Sequence, residues 1–277
     1  RPRDWSSDVC SSDLVAGFST DQQLLLLRNL GWALAPDIVI LVFYIGNDVP
    51  ENSVELTDFV KPYFTLDAQG VLQPHPFEAR EDSGAEEVTA WIRRQSQLAG
   101  MIDTGVVPKL RTLPGMAKVP SVDHEVVGPI TVGAGPGGSD VYRAEMSSSW
   151  RHAWAVTDAL IHELAEESRQ HSIPLVLVIA PSKWEVHTED WELLLRQNNL
   201  PNDGWDLDAP ARRIAAMSER ERVPFISPLA ALRESARSNR YYFRQDVHWT
   251  AAGHRAVADV LADGLLDSRL VFAWDPS

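Results

Sequence analysis

Apolar segments alternate with stretches of helical periodicity, and this alternation constrains the fold of the 277-residue chain more than any other feature. The apolar segments span residues 38–45, 173–180 and 223–226. They lack polar alternation, as expected of parallel strands that are covered on both faces. The helical patterns lie over residues 20–34, 149–171 and 209–221, and a last helix follows Thr250. The first pattern begins with Ser19 and Gln22, three residues apart as in a capping box. The order predicts an α/β fold, in which a parallel sheet lies between two layers of helices joined by right-handed crossovers.

Composition excludes several classes of protein. The chain has 25 Lys and Arg against 39 Asp and Glu, a net charge of −14, which argues against nucleic acid as a partner. The longest apolar run, residues 38–45, is much shorter than the roughly 18 residues of a membrane-spanning helix, so we expect no span in the visible chain. The lone Cys10 excludes an intrachain disulfide and a cysteine-rich zinc site.

The first fourteen residues differ from the rest of the chain. In RPRDWSSDVCSSDL, the tetrapeptide that begins at Ser6 is echoed by the one that begins at Ser11. A polar N-terminal segment is one interpretation. The echo also resembles the translation of a sequencing adapter read through twice, and we favour this second hypothesis, so residues 1–14 are set apart from the fold. The native N-terminus is then not visible, and the compartment stays open, an extracytoplasmic one included.

The alternation stops over residues 52–148, which we interpret as an insertion in a single domain of residues 15–277. Its first part predicts a hairpin, with strands at residues 63–66 and 71–72 and a Gly-containing turn between them. From Gly100 onward Pro and Gly recur, ending in residues 133–138. Two interpretations of this part stand, a lid or substrate loop and plain disorder.

Three short segments are candidates for a site, because active sites of open parallel sheets lie outside the carboxyl ends of the strands. Asn47, within Gly46-Asn47-Asp48, can aim an amide donor at a developing oxyanion, although the same residues are typical of a strand-end turn. Gly17 can offer an unhindered backbone N–H to an anion, although a glycine before a helix is the simpler interpretation.

The third candidate is Asp246-Val247-His248, just before the last helix. Residues two apart in an extended segment point to the same side, so the Asp246 carboxylate can orient the His248 imidazole. An oriented histidine beside a carboxylate is the base half of a nucleophilic triad. The alternative is a surface loop in which Thr250 caps the helix and the acidic neighbour is fortuitous.

Taken in order, the three segments resemble the SGNH or GDSL-type hydrolase family, including a bacterial branch of it. Gly17 matches the oxyanion-hole block, Asn47 the Gly-x-Asn-Asp-type block, and Asp246 with His248 the final block. The resemblance implies a flavodoxin-like three-layer fold with its first strand missing here. It also implies a serine esterase that acts on a small-molecule or carbohydrate ester, with Gly17 and Asn47 in the oxyanion hole and no metal or organic cofactor.

Two departures from the family pattern matter. No Gly-Asp-Ser block is present, and Ser11, Ser12 and Ser19 lack its context, so we expect a truncated chain without its serine nucleophile and without activity. The Asp-x-His spacing is closer to that of relatives that O-acetylate polysaccharides, so a polysaccharide O-acetyltransferase stays open. A non-catalytic carbohydrate-binding domain is the alternative from another class.

Other polar residues are weaker candidates. His162-Glu163 begins like a zinc-protease motif, but position 166 is Glu166 rather than a second histidine. Lys183 and His187 follow the strand that ends at Ala180 and face the same crevice, where they could touch substrate, although we expect them on the surface. The tryptophans are expected mainly in the core.

Overall fold

Parallel pairing joins the three predicted core strands into one sheet. The computed structural model describes residues 18–57, 61–76, 138–244 and 247–267. The strands are β1 (Val39–Tyr44), β2 (Tyr63–Leu66), β3 (Leu72–His75), β4 (Leu175–Ala180) and β5 (Phe225–Ile226). The α-helices are α1 (Thr20–Leu26), α2 (Asp48–Glu51), α3 (Ser148–His171), α4 (Lys183–Val186), α5 (Thr188–Gln197), α6 (Ala209–Glu221), α7 (Leu229–Ser235) and α8 (Ala251–Asp267). The sheet order is β1-β4-β5, and the predicted mixed α/β class with a parallel sheet is confirmed.

Side chains of the sheet alternate between two apolar layers. Leu41, Phe43 and Leu177 face one core, which also contains side chains of α1, α3 and α6. Val176 and Val178 face the opposite side, where residues of α8 pack against them. The sheet is therefore sandwiched between helices, as the uninterrupted apolar runs predict for strands with two covered faces.

Burial is concentrated on β4 rather than on β1. All six residues of β4 are buried, and β4 lies between β1 and β5. Ile40 of β1 is 37% exposed. Among the described strands β1 pairs only with β4, so the apolar run of β1 is less completely covered than its composition predicts.

The first predicted helix begins as its sequence indicates but does not stay α-helical. Ser19 and Gln22 form the expected capping box at the start of α1. After Leu26 the chain continues as a π-turn over Leu27–Gly31 and a 3₁₀ turn over Trp32–Leu34. The helical segment thus ends at the predicted Leu34, where Ala35 adopts a left-handed conformation with φ of 47°.

The predicted hairpin at the start of the insertion is confirmed. β2 and β3 pair antiparallel from Tyr63↔His75 to Leu66↔Leu72. The Asp67 carboxylate accepts hydrogen bonds from the Gln69 and Val71 N–H groups, and Gly70 has φ of 79°, a conformation that favours glycine.

Several predictions fall on residues outside the described ranges. Residues 1–17, which include the adapter-like segment and Gly17, lie outside them, as do residues 58–60 and 77–137 of the insertion. The domain limits and the role of the insertion stay predictions. None of the described helices is both long enough and apolar enough to cross a membrane.

Candidate functional site

The carboxyl ends of β1 and β4 lie side by side and define the candidate site. Tyr44 pairs with Ala180, and the Ile45 N–H donates to the Ala180 carbonyl at 3.4 Å. The chain leaves β1 into Gly46-Asn47 and leaves β4 into the Pro181-Ser182 segment. Polar groups after both strands therefore meet at one edge of the sheet, where α/β proteins place their sites.

Asn47 lies in a tight turn directly after β1. A side chain at position 46 would displace the ring of Tyr44, because a Cβ there would lie 2.6 Å from it. Asn47 is half-buried, and its amide hydrogen-bonds the Glu51 carboxyl. Its Oδ1 is buried without a hydrogen-bond partner among the described residues. The side chain is thus held from one side by Glu51 at the place predicted for an oxyanion donor.

Two carboxyl groups flank this turn, that of the buried Asp48 and that of the half-buried Glu51. The Asp48 Oδ2 accepts from the Tyr44 N–H at 2.9 Å, and burial raises the pKa of Asp48 well above its ordinary value. Burial also raises the pKa of Glu51 to about 7, against the lowering effect of its hydrogen bond with Asn47. The Glu51 carboxyl, which contacts Asn47, therefore gains or loses its negative charge near neutral pH.

Ser19 belongs to a closed buried network and is not presented to a substrate. It is fully buried, and its Oγ donates to the Asp21 carboxylate at 2.7 Å. The Lys61 ammonium contacts the Ser19 hydroxyl and both Asp21 oxygens, the latter at 2.7 and 2.8 Å. These contacts hold the Ser19 hydroxyl inside the network and away from solvent.

His248 lies on a short antiparallel ladder that precedes α8. Tyr242 pairs with Trp249, and hydrogen bonds flank the pair, from Thr250 N–H to Tyr241 O at 2.8 Å and from Phe243 N–H to His248 O at 3.1 Å. Directly opposed residues of such a ladder share a face. Phe243, which is 52% exposed, and the exposed His248 therefore form one outward face.

Hydrogen bonds of three side chains attach this ladder to the segment that follows β4. The Tyr242 hydroxyl donates to the Pro181 carbonyl at 2.5 Å. The Lys183 ammonium donates to the carbonyls of Phe243 at 3.1 Å and Arg244 at 2.7 Å. The His187 Nε2 accepts from the Tyr241 N–H at 3.3 Å.

The expectation that Lys183 and His187 lie on the surface is wrong. Lys183 is 8% exposed and His187 is 1% exposed, because the ladder covers both side chains. Burial lowers the pKa of His187, with a further lowering by Arg240, so its imidazole is neutral and can accept a hydrogen bond. No local pattern distinguishes a buried lysine of this kind from a surface one, since its partners lie some sixty residues away in the chain.

A buried cluster below the site was missed by sequence reasoning. Ser182 begins α4, its Oγ lies 2.7 Å from the Tyr142 hydroxyl, and its N–H donates to the Glu185 Oε2 at 2.6 Å. Burial raises the pKa of Glu185 to about 7. The Ser182-x-x-Glu185 spacing is a capping-box signal that was available in the sequence, whereas nothing local indicated Tyr142.

The four predicted site residues divide into two groups. Asn47 and His248 belong to elements at the same edge of the sheet, since the His248 ladder is fastened to the end of β4 beside β1. Gly17 and Asp246 lie outside the described residues. In the part of the chain that the structure covers, no group of three or more His, Cys, Asp or Glu side chains is arranged to hold a metal ion.

Part of the chain matches a known protein family. Residues 142–274 match a family model described as the SGNH hydrolase-like domain of the acetyltransferase AlgX. The matched segment contains β4, the residues that fasten the ladder, and the Asp246-x-His248 sequence, but not Asn47. A search of curated proteins finds no match. The match over residues 142–274 supports an SGNH-type family for this part of the chain.

Proposed function

We propose that the chain supplies the general base and the oxyanion-binding groups of an SGNH-type site for acyl transfer from an ester. His248 serves as the general base, Asp246 orients its imidazole, and the Asn47 amide and Gly17 N–H receive the developing oxyanion. The observation that carries the proposal is the attachment of the His248 ladder to the end of β4, beside the turn that holds Asn47.

The reaction needs a serine nucleophile, which we expect outside the sequence given. Its Oγ attacks the ester carbonyl carbon while His248 takes the hydroxyl proton. The tetrahedral intermediate collapses, the C–O bond of the leaving alcohol breaks, and His248 returns the proton to that alcohol. Water or an acceptor alcohol then attacks the acyl-serine carbonyl while His248 takes its proton; the bond from the acyl carbon to the serine Oγ breaks, and His248 returns the proton to that oxygen. No metal or organic cofactor enters these steps.

Transfer and hydrolysis differ only in the second acceptor. The Asp-x-His spacing and the match to an acetyltransferase domain favour transfer of an acetyl group to a carbohydrate hydroxyl. The exposure of His248 favours hydrolysis as the second candidate, because water can reach the imidazole. Acetyl release from p-nitrophenyl acetate, with and without a soluble sugar as acceptor, separates the two.

The first test is the gene sequence upstream of the codon for Val15. A strand followed by Gly-Asp-Ser supports the proposal. The extended protein should then release p-nitrophenol from p-nitrophenyl acetate, and His248→Ala should lower kcat/KM by at least about 10³-fold. The chain without that block should show no turnover above its own His248→Ala variant.

A second test does not depend on turnover. If Asp246 orients His248, the ring N–H of His248 gives a low-field proton NMR signal that is lost in Asp246→Asn. An unchanged signal contradicts the proposal. A genuine N-terminus at Arg1, combined with sugar binding and no turnover, also contradicts it and supports a non-catalytic carbohydrate-binding domain.

A further inference from the structure

We propose that Lys183 is a positioning residue, whose buried ammonium holds the end of the ladder on which His248 lies and which Asp246 follows closely in the sequence. The inference rests on the proposed function and adds a residue to it. Lys183 acts through the backbone of the ladder and has no role as acid, base or nucleophile.

The Lys183 ammonium contacts the backbone of the ladder directly. Its Nζ donates to two consecutive carbonyls, of Phe243 and Arg244, from a position on α4 just beyond β4. A lysine ammonium has three donors, so these two bonds use most of its capacity. The Asp190 carboxylate lies 3.8 Å away and offsets the buried charge. Lys183 is therefore a buried charge that holds two backbone carbonyls, an arrangement called the clamp below, and is not a surface ion.

The clamp acts next to the proposed catalytic pair. Asp246 follows Arg244 by two residues, and two extended residues span only about 7 Å. Tyr242 and His187 hold the ladder further from this end, at the Tyr242 side chain and at the Tyr241 N–H. Of the three fastening residues, Lys183 thus has the most direct influence on where Asp246 and His248 lie.

The test uses the 277-residue chain and a matched pair of buried lysines. Lys183→Met removes the clamp. Lys61→Met is the control, because Lys61 is also 8% exposed and its hydrogen bonds go to Ser19 and Asp21 instead. Amide hydrogen exchange over residues 241–250 measures the ladder, and the His248 ring N–H signal measures its consequence for the site.

We expect Lys183→Met to speed exchange over residues 241–250 by about ten- to hundredfold, the effect of losing charge-assisted hydrogen bonds. The His248 ring signal should broaden or disappear. Lys183→Arg should recover part of both, since a guanidinium can also donate to two carbonyls. Lys61→Met should leave exchange in the ladder unchanged.

Exchange in Lys183→Met that equals the native rate overturns the inference, whatever the other variants show. If Lys183→Met does not fold, Lys183→Gln takes its place, and native exchange in that variant overturns the inference equally. Failure of the proposed function is recognised separately: Asp246→Asn then leaves the His248 signal unchanged while Lys183→Met still speeds exchange.

Discussion

The Glu185 carboxylate accepts a hydrogen bond from the Ser182 N–H at 2.6 Å and so closes a capping box that is completely buried. Its second oxygen, Oε1, is buried without a hydrogen-bond partner among the described residues. Burial raises the pKa of Glu185 to about 7. A capping residue that is ordinarily exposed has become a titratable group of the core.

Glu185→Gln should stabilise the protein increasingly as pH rises from about 5 to 7, and should keep that gain at higher pH. The pKa of Glu185 is raised in the folded state, so the folded state binds its proton more tightly and loses stability as pH rises from about 4.5 to 7. Gln keeps an oxygen for the Ser182 N–H and carries no charge. We expect a gain of about 1–3 kcal/mol in the free energy of unfolding at pH 8 and little change at pH 5. Urea unfolding at both pH values measures this.

Glu192→Gln is the control for that experiment, since the Glu192 side chain is 67% exposed on α5. It should alter stability by the same small amount at both pH values. A gain in Glu185→Gln that is equally large at pH 5 would contradict a titration effect.

His187 should produce a loss of stability at acid pH. Burial lowers the pKa of His187 in the folded state, so the unfolded state binds the proton more tightly. Stability contributed by the neutral ring is present above about pH 6.5 and is lost as pH falls through the lowered folded-state value. Protonation would also turn the Nε2 acceptor toward the Tyr241 N–H into a donor. The native protein should lose more stability between pH 7 and 5 than His187→Gln does, in urea unfolding.

His171→Gln serves as the comparison for His187, because His171 is exposed at the end of α3. Its pH dependence should follow that of the native protein. A His187→Gln variant with the native pH dependence would show that the buried ring is not the group responsible.

Ser172→Gly should stabilise the end of α3. Ser172 has φ of 56°, a left-handed conformation that costs a residue with a side chain about 1–2 kcal/mol. Glycine also costs more entropy on folding, so we expect a net gain of up to about 1 kcal/mol in thermal or urea unfolding. Ala155→Gly, at an exposed position within the same helix, should instead lose about 1 kcal/mol. If both variants change the free energy of unfolding in the same direction, this explanation is wrong.

Gly253→Ala should be much more damaging than Gly264→Ala, although both glycines lie in α8. A Cβ at Gly253 would lie 2.3 Å from the Tyr241 carbonyl oxygen, a backbone atom of the His248 ladder. A Cβ at Gly264 would meet the end of the Ile226 side chain at 2.8 Å, which can move. We expect a loss of about 1–3 kcal/mol for Gly253→Ala and a smaller change for Gly264→Ala, measured by urea unfolding. Similar losses of unfolding free energy would mean that the ladder backbone at Tyr241 moves aside as easily as the Ile226 side chain.

The elements of the sheet could be predicted from the sequence because their signals are local. Apolar runs that lie between helical stretches indicated β1, β4 and β5. The Ser19 and Gln22 pair indicated the start of α1, and the turn with Gly70 indicated the hairpin. Each of these depends on residues that are close in the chain. The α/β class and the SGNH-type resemblance of the Asp246-x-His248 segment followed from such patterns, and the family match over residues 142–274 agrees with them.

The surroundings of the candidate site depended on tertiary structure. Sequence placed Lys183 and His187 on the surface, but the ladder about sixty residues further along the chain buries both. Glu185 also depends on tertiary structure: its capping role is local, but its raised pKa comes from burial. The sequence by itself determined where strands, helices and caps begin, because those choices follow from short-range periodicity and hydrogen bonding. Only the tertiary structure decided which polar groups lose their water and which backbone groups they hold, because burial is set by segments distant in the chain.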